Sequence, residues 1–441
     1  MRRYNILALS TYSIERPLGG GQIVISGIYK YLSNFFDIVV LSIISHQERK
    51  NVTIKKGLQN IMIPISPEEA KVLWDMERRY GIGLSDYIHL DNISLCTEYI
   101  KEFEQLSSWA DIIILEHPYL VNVLDFKKVN KKIIYHAIDI EVLQKEKLYE
   151  NFPELLCNVK AAEAKACNYA DAIFTVSEEE KKVLKELYLE PTKGKEILVV
   201  PNSIDTEMVP FISRPEHLKA KEKYGLLSEK IICLFVGSWH PPNLEGLEYI
   251  GNRLAPKNAD IQYFVVGSVK DFFYDKYHPN HKFPENVHLF GILEEDEKWE
   301  LYKVVDYAIN PMFSGAGTNV KMFEYMAAGL PIISTPFGVR GINSAKICYF
   351  ENEEEFFAII PLLAKNDQLQ KDLILNNLWV VKTYYDLQTV ADKIRDFIYK
   401  ELLDDYSSYL VDRLSAELLS FSQIDYDLIY DNFALELSKI I

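Results

Sequence analysis

Lys321 and Glu324 lie three residues apart, just after a run of small residues, Ser314-Gly315-Ala316-Gly317-Thr318. That combination suits a phosphorylated ligand. Glycines let an anion approach the backbone, and a helix opening near Asn319 presents free N–H groups and its positive dipole end to that anion. Lys321 adds a cation. Glu324, on the same helix face, can accept from the two hydroxyls of a ribose while the loop holds a diphosphate. The plain alternative is a surface Lys321–Glu324 ion pair worth roughly 0.2–0.5 kcal/mol. The glycine loop in front of the pair favours the ligand.

The surrounding elements are legible. Tyr307-Ala308-Ile309 reads as a short buried strand, and Val320, Phe323 and Ala327 fall on one face of the helix. Gly329 suits a left-handed cap with Pro331 beyond it. Residues 331–335 make the next strand, and Gly338 and Gly341 punctuate the loop that follows. The order is strand, glycine-rich loop, helix, strand.

Asn310-Pro311, Gly315-x-Gly317, Lys321, Glu324, Gly329-x-Pro331, Thr335 and Gly338 together resemble the nucleotide-sugar motif of glycosyltransferase family 4, the group 1 glycosyltransferases. The resemblance covers roughly the first 400 residues. It implies a GT-B fold of class α/β: two Rossmann-like, doubly wound domains facing a central cleft. It also implies sugar transfer with retention of configuration and no metal or other cofactor. Glu324 matches the second of the family's two glutamates, the one that binds ribose. The first falls at Ala316 and is absent, and a branch of the family with G-x-G-x-x-x-K-x-x-E looks more alike, with Lys321 supplying charge. By the same resemblance, Gly317, Thr318, Asn319 and Val320 hold the donor, and Gly20 and Gly21 face its diphosphate. His136 stands near the donor sugar, so His136 and Lys321 are the catalytic candidates. Backbone near Gly291 reads the base. The family's Arg and Lys after the strand that ends at Gly237-Ser238 are missing, and His240, Lys321 or Arg340 is left to compensate.

The rest of the chain agrees with two domains. It has 441 residues, 48% of them apolar and 25% charged, which is globular composition with ample core. A net charge of −16 argues against nucleic acid as a partner. Five scattered cysteines without C-x-x-C spacing read as free thiols of a reducing cytoplasm. The start, residues 1–10, has a basic tip but an apolar run too short for a signal peptide, and no segment reaches transmembrane length.

Short Ile- and Val-rich runs at 6–9, 38–43, 61–65, 112–115, 133–135, 172–176 and 197–200 alternate with helical stretches, the pattern of a parallel sheet covered on both faces. A second series follows at 231–236, 261–266, 287–290, 307–309, 332–334 and 347–350. Glycines 19–21 precede a helix expected over 22–34. Residues 68–95 read either as an acceptor-binding insertion or as a helix pair with aromatic contacts. Ligands of open α/β sheets bind at the strands' carboxyl ends, so Glu116-His117 and His136 are cleft candidates. Glu163 receives no catalytic role.

The expected domains are 1–205 for the acceptor, 206–388 for the nucleotide sugar, 389–403 as a helix crossing back, and an acidic helical extension over 404–441. Asp425-Tyr426-Asp427 in that extension lacks the strand context of a metal site. The expected partners are a nucleotide sugar and an unidentified acceptor in the cytoplasm. A peripheral membrane contact through the N-terminal domain and the oligomeric state stay open. Two other readings share the fold: a catalytically silent binding subunit, suggested by the missing glutamate and the missing Arg/Lys pair, and a nucleotide-sugar epimerase, which the Lys321–Glu324 block disfavours.

Overall fold

The computed structural model describes residues 2–17, 20–44, 48–226, 230–277, 282–315 and 317–403. Ala316, Gly19 and the 404–441 extension with its Asp425 and Asp427 lie outside the described residues. The chain forms two compact units. The first runs to Ser203 and resumes at Leu387; the second is Ile204–Asp386.

Branched side chains fit the pleated backbone, and each Ile- and Val-rich run becomes a strand. The first unit holds β1 (Asn5–Ser10), β2 (Asp37–Ile44), β3 (Lys50–Lys55), β4 (Leu58–Pro64), β5 (Ile112–Glu116), β6 (Lys132–Ala137), β7 (Ala172–Thr175) and β8 (Glu196–Val199). Their order is β3-β4-β2-β1-β5-β6-β7-β8. All neighbours are parallel except β3 and β4, an antiparallel pair at the sheet edge. The sequence reading missed β3, a polar strand with one face in solvent. The second unit holds β9 (Ile231–Val236), β10 (Ile261–Val266), β11 (Val287–Gly291), β12 (Tyr307–Asn310), β13 (Ile332–Ser334) and β14 (Cys348–Tyr349), in the order β11-β10-β9-β12-β13-β14.

Both orders reverse direction once, between β1 and β5 and between β9 and β12. A crevice opens at the carboxyl ends of strands where such a reversal occurs. Burial explains why the second sheet is stable there. Ile232 and Leu234 of β9 join one buried cluster, and Cys233 and Phe235 join another on the opposite face. Strands covered on both sides need no polar alternation.

The 68–95 stretch is helical, Pro67–Tyr80 and Ile88–Asn92, with Tyr80 edge-on to Phe152 and Tyr87 edge-on to Tyr149. The helix expected over 22–34 begins earlier, so Gly20 and Gly21 are its first residues rather than a loop before it (Gly20–Leu32). The Leu387–Phe397 helix packs on it so closely that a side chain at Gly27 would stand 3.0 Å from Leu387. Three of the five cysteines, Cys96, Cys167 and Cys233, are buried, and all five are free. Among the described residues, no helix is long and apolar enough to cross a membrane.

Gly329 ends the Val320–Ala328 helix at φ +77°, and an added Cβ would meet the Phe211 ring at 2.5 Å. Left-handed strain and overlap act together, so Gly329→Ala is expected to lower unfolding stability by about 1–3 kcal/mol. Urea titration measures it; a loss within error of zero refutes the close packing.

Candidate functional site

The crevice of the second unit is built from the segments that follow β9 and β12. After β9 come Gly237 and Ser238. Gly237 is needed for space, since a Cβ there would lie 3.0–3.2 Å from Val269 and Asn243. Asn243 donates from Nδ2 to the Ser238 carbonyl and hydroxyl, each at 3.1 Å. Its Oδ1 then accepts from Lys321 Nζ at 2.7 Å. The ammonium also lies 3.7 Å from Met312 Sδ and 4.3 Å from the Phe235 ring centroid. These partners are all uncharged. Burial and the neighbouring Arg340 together lower the lysine's pKa to about 7.

After β12 the loop carries Gly315 at φ +115° and Gly317 at φ +62°, backbone that glycine adopts without strain. A side chain at Gly315 would stand 3.3 Å from the Arg340 guanidinium, and one at Gly341 would strike Thr318 Oγ1 at 2.4 Å. The Val320–Ala328 helix then begins. Asn319 occupies its N-cap, a position where asparagine normally bonds the helix's own N–H groups. Here it makes no such bond and donates instead to the Gly338 carbonyl at 2.9 Å. Of the helix's first N–H groups, that of Met322 donates to the Asn319 carbonyl at 2.9 Å, and no side chain caps the others among the described residues. Gly291, at φ +78°, closes β11, and its carbonyl accepts from the Gly267 N–H at 2.6 Å.

Glu324 does not pair with Lys321, so the surface ion pair considered from sequence is not formed. Its Oε1 accepts from the Tyr302 hydroxyl, and its Oε2 lies 3.4 Å from Lys298 Nζ. Sequence reasoning missed Asn243, Lys298 and Tyr302. The last two are four apart on one helix, Glu295–Tyr302, a spacing that could have marked them as one face.

In the first unit, His136 is the penultimate residue of its strand. It does not stand past its strand but is the fifth residue of β6, 5% exposed, with Nδ1 2.9 Å from Glu116 Oε2. Glu116 also accepts from the Tyr29 hydroxyl. The residue that does stand at the strand end is His117, at φ +65°, in the crevice beside β1. Its Nδ1 is 2.7 Å from Glu141, and its Nε2 is 3.3 Å from the Tyr12 hydroxyl. Burial opposes the imidazolium, yet the Glu141 hydrogen bond and charge, with Asp139 and Asp86 nearby, push its pKa up to about 9. Glu163 braces the arrangement. It accepts from the Glu141 backbone N–H at 2.9 Å and from Tyr135 and Tyr188, and burial raises its own pKa to about 7. Gly21 is not crowded; the nearest atom to a Cβ there is Ile138, at 3.9 Å.

Comparison with known proteins locates the same region. Residues 230–366 match the family model described as "Glycosyl transferases group 1". A protein from Klebsiella pneumoniae, described as an uncharacterized 44.6 kDa protein in the cps region, is 27% identical over 171 residues, 36% of this chain and 44% of that protein. Less than half of that relative's length is therefore matched. Sucrose-phosphate synthase from Thermosynechococcus elongatus superposes with a TM-score of 0.68 at 13% identity, over 91% of this chain and 100% of that one. HepE from Anabaena, in complex with UDP-glucose, gives 0.62 at 13% identity over 90% and 100%. An E. coli trehalose-6-phosphate structure bound with UDP-2-fluoro glucose gives 0.57 at 14% identity over 88% and 98%. The fold is GT-B, and the resemblance to group 1 glycosyltransferases holds in the unit that carries the cationic crevice.

His117 supplies a pH signature. Its folded pKa, about 9, exceeds the ordinary 6.5, so the stability it contributes is complete below pH 6.5 and is lost as pH rises through 9. Asparagine tolerates the left-handed backbone, so His117→Asn removes the imidazole with little strain. The stability gap between native protein and variant, from urea unfolding at pH 6 to 10, is expected to shrink with rising pH. A gap constant across that range contradicts the His117–Glu141 ion pair.

Proposed function

We propose that the protein is a nucleotide-sugar glycosyltransferase that binds the donor diphosphate at the carboxyl ends of β9 and β12 and moves the sugar to an acceptor. The observation that carries this reading is Lys321, a cation among uncharged partners at the start of a glycine-led helix that lacks a side-chain cap. A cation held away from water without a counter-charge is costly to maintain unless an anion completes it. A departing nucleoside diphosphate gathers negative charge, and fixed N–H dipoles with Lys321 and Arg340 meet that charge without reorganising. Glu324 holds the ribose. In support, the group 1 match spans this crevice, and solved proteins of this fold carry UDP-glucose and UDP-2-fluoro glucose.

The finer assignments belong to the proposal as well. Retention of configuration and a place in polysaccharide biosynthesis follow the family resemblance. Independence from metal follows from Lys321 and Arg340 supplying the charge that a divalent ion would otherwise bring, and turnover is expected to persist in EDTA. Acceptor binding is assigned to the first unit's crevice, where His117 and Tyr12 meet.

Nucleoside diphosphate at about a hundred times its dissociation constant should add roughly 2.7 kcal/mol of stability. Thermal unfolding with UDP, GDP, ADP and dTDP tests this, and the absence of a shift with every one of them overturns the proposal. Lys321→Met keeps the shape without the charge. It is expected to raise the melting temperature of the free protein while weakening nucleotide binding by about tenfold or more, the scale of one charged hydrogen bond.

The pH dependence has a definite sign. With a free-state pKa of about 7, Lys321 is charged below that pH and must take up a proton to bind diphosphate above it. Affinity measured by calorimetry should fall as pH rises from 7 to 9. In Lys321→Arg, which stays charged, it should stay flat.

A further inference from the structure

The carboxylates of the first unit's crevice come from separate segments. Glu116 ends β5, Asp139 and Glu141 follow β6, and Asp86 stands between the two helices of the 68–95 stretch. Most of them are already engaged. Glu116 lies against Tyr29 and His136, and Asp139 accepts from Gln144 Nε2 at 2.9 Å. Glu141 accepts from Tyr119 and holds His117, with the Lys145 ammonium 5.8 Å from the Tyr119 ring centroid. Two groups are left over. The half-buried Asp86 carboxylate has no hydrogen-bond or ion-pair partner among the described residues. Tyr149 is 2% exposed and edge-on to Tyr87, and its hydroxyl has no partner among the described residues either.

These two groups share one space. Burial and the charges of Asp86 and Glu141 push the Tyr149 phenol up, so it keeps its proton, and the Asp86 charge also bears on Tyr12, His117 and Tyr119. A partly desolvated carboxylate without a donor is unfavourable, and so is a buried hydroxyl without a partner. A ligand rich in hydroxyls relieves both, since one sugar hydroxyl donates to the carboxylate and another accepts from the phenol. A phosphate or carboxylate can accept from the phenol but repels Asp86. The two cations of the crevice, His117 and Lys145, already answer Glu141. Like charges brought together in such a place select against the anionic partner.

We propose, resting on the function proposed above, that the acceptor is an uncharged saccharide held through its hydroxyls by Asp86 and Tyr149, and that phosphorylated and carboxylated acceptors are rejected. The 68–95 stretch then contributes Asp86 to acceptor choice. No bond is made or broken by these two residues; they decide which acceptor enters. The alternative is that Asp86 and Tyr149 only brace the neighbouring helices, which predicts a loss of stability on substitution with no change in acceptor preference.

Ligand-observed NMR titration of the full chain tests the proposal, with whichever of UDP, GDP, ADP and dTDP it binds present at saturation to keep anionic sugars out of the cationic crevice. The probes are glucose with glucose 6-phosphate, galactose with galacturonate, and N-acetylglucosamine with its 6-phosphate, together with glucosamine. The neutral member of at least one pair is expected to bind about tenfold or more tighter than its anionic partner. Asp86→Asn should cut that preference by about threefold or more by admitting the anionic member. Tyr149→Phe, which keeps the ring and its packing, should weaken the neutral member while the anionic one changes little. Anionic members that bind equally well or better, glucosamine preferred over glucose, either variant binding the pairs as the native protein does, or no sugar bound at all overturns this inference and leaves the nucleotide site standing. A protein that binds none of the four nucleotides overturns both.

Discussion

The second unit is organised by one electrostatic constraint: a cation fixed beside a hydrogen-bond acceptor, a thioether and an aromatic ring, with no carboxylate paired to it among the described residues. Asn243 makes the arrangement possible. Its amide nitrogen is committed to Ser238 at the end of β9, so its oxygen faces Lys321 from the helix after β12. The two strands flanking the order reversal are thereby tied through a single side chain. Gly237 leaves room for Asn243, Gly315 for Arg340, and Gly341 for Thr318. Each of these three glycines has a neighbour that comes close.

The strand order of the first unit also reverses once, but the crevice there carries the opposite charge. Its crevice gathers Glu116, Glu141, Asp139 and Asp86 around Tyr12 and His117, and the His117 imidazolium is already matched by Glu141. A diphosphate has little to gain from such surroundings. Topology made two crevices, and the side chains made them different, which is why fold alone cannot assign the ligand.

The buried glutamates show how far positioning extends. The Glu163 side chain accepts from the backbone N–H groups of Glu141 and Val142 and from the hydroxyls of Tyr135 and Tyr188. Glu141 in turn accepts from Tyr119 at 2.7 Å and holds His117. The strained backbone at His117 persists because this chain of buried acceptors and donors determines where its ring must lie.

Periodicity and glycine placement alone were enough to read parallel sheets covered on both faces, the strand-loop-helix-strand block around Lys321 and Glu324, and the stop at Gly329, while the doubly wound two-domain class came with the family resemblance. Those features are local: a branched run makes a strand, a glycine ends a helix. The polar edge strand β3 escaped because partial exposure leaves no apolar signature. Whether Lys321 would pair with Glu324 was beyond local reading, since a spacing of three permits the contact without requiring it. Packing settled it by supplying better partners, Asn243 for the lysine and Tyr302 with Lys298 for the glutamate. The same holds for the neighbouring histidines. Sequence matching favoured His136, but the pleat turns it toward Glu116 within the sheet and leaves His117 at the strand end, because successive side chains of a strand face opposite sides and a residue's surroundings depend on which elements cover each side.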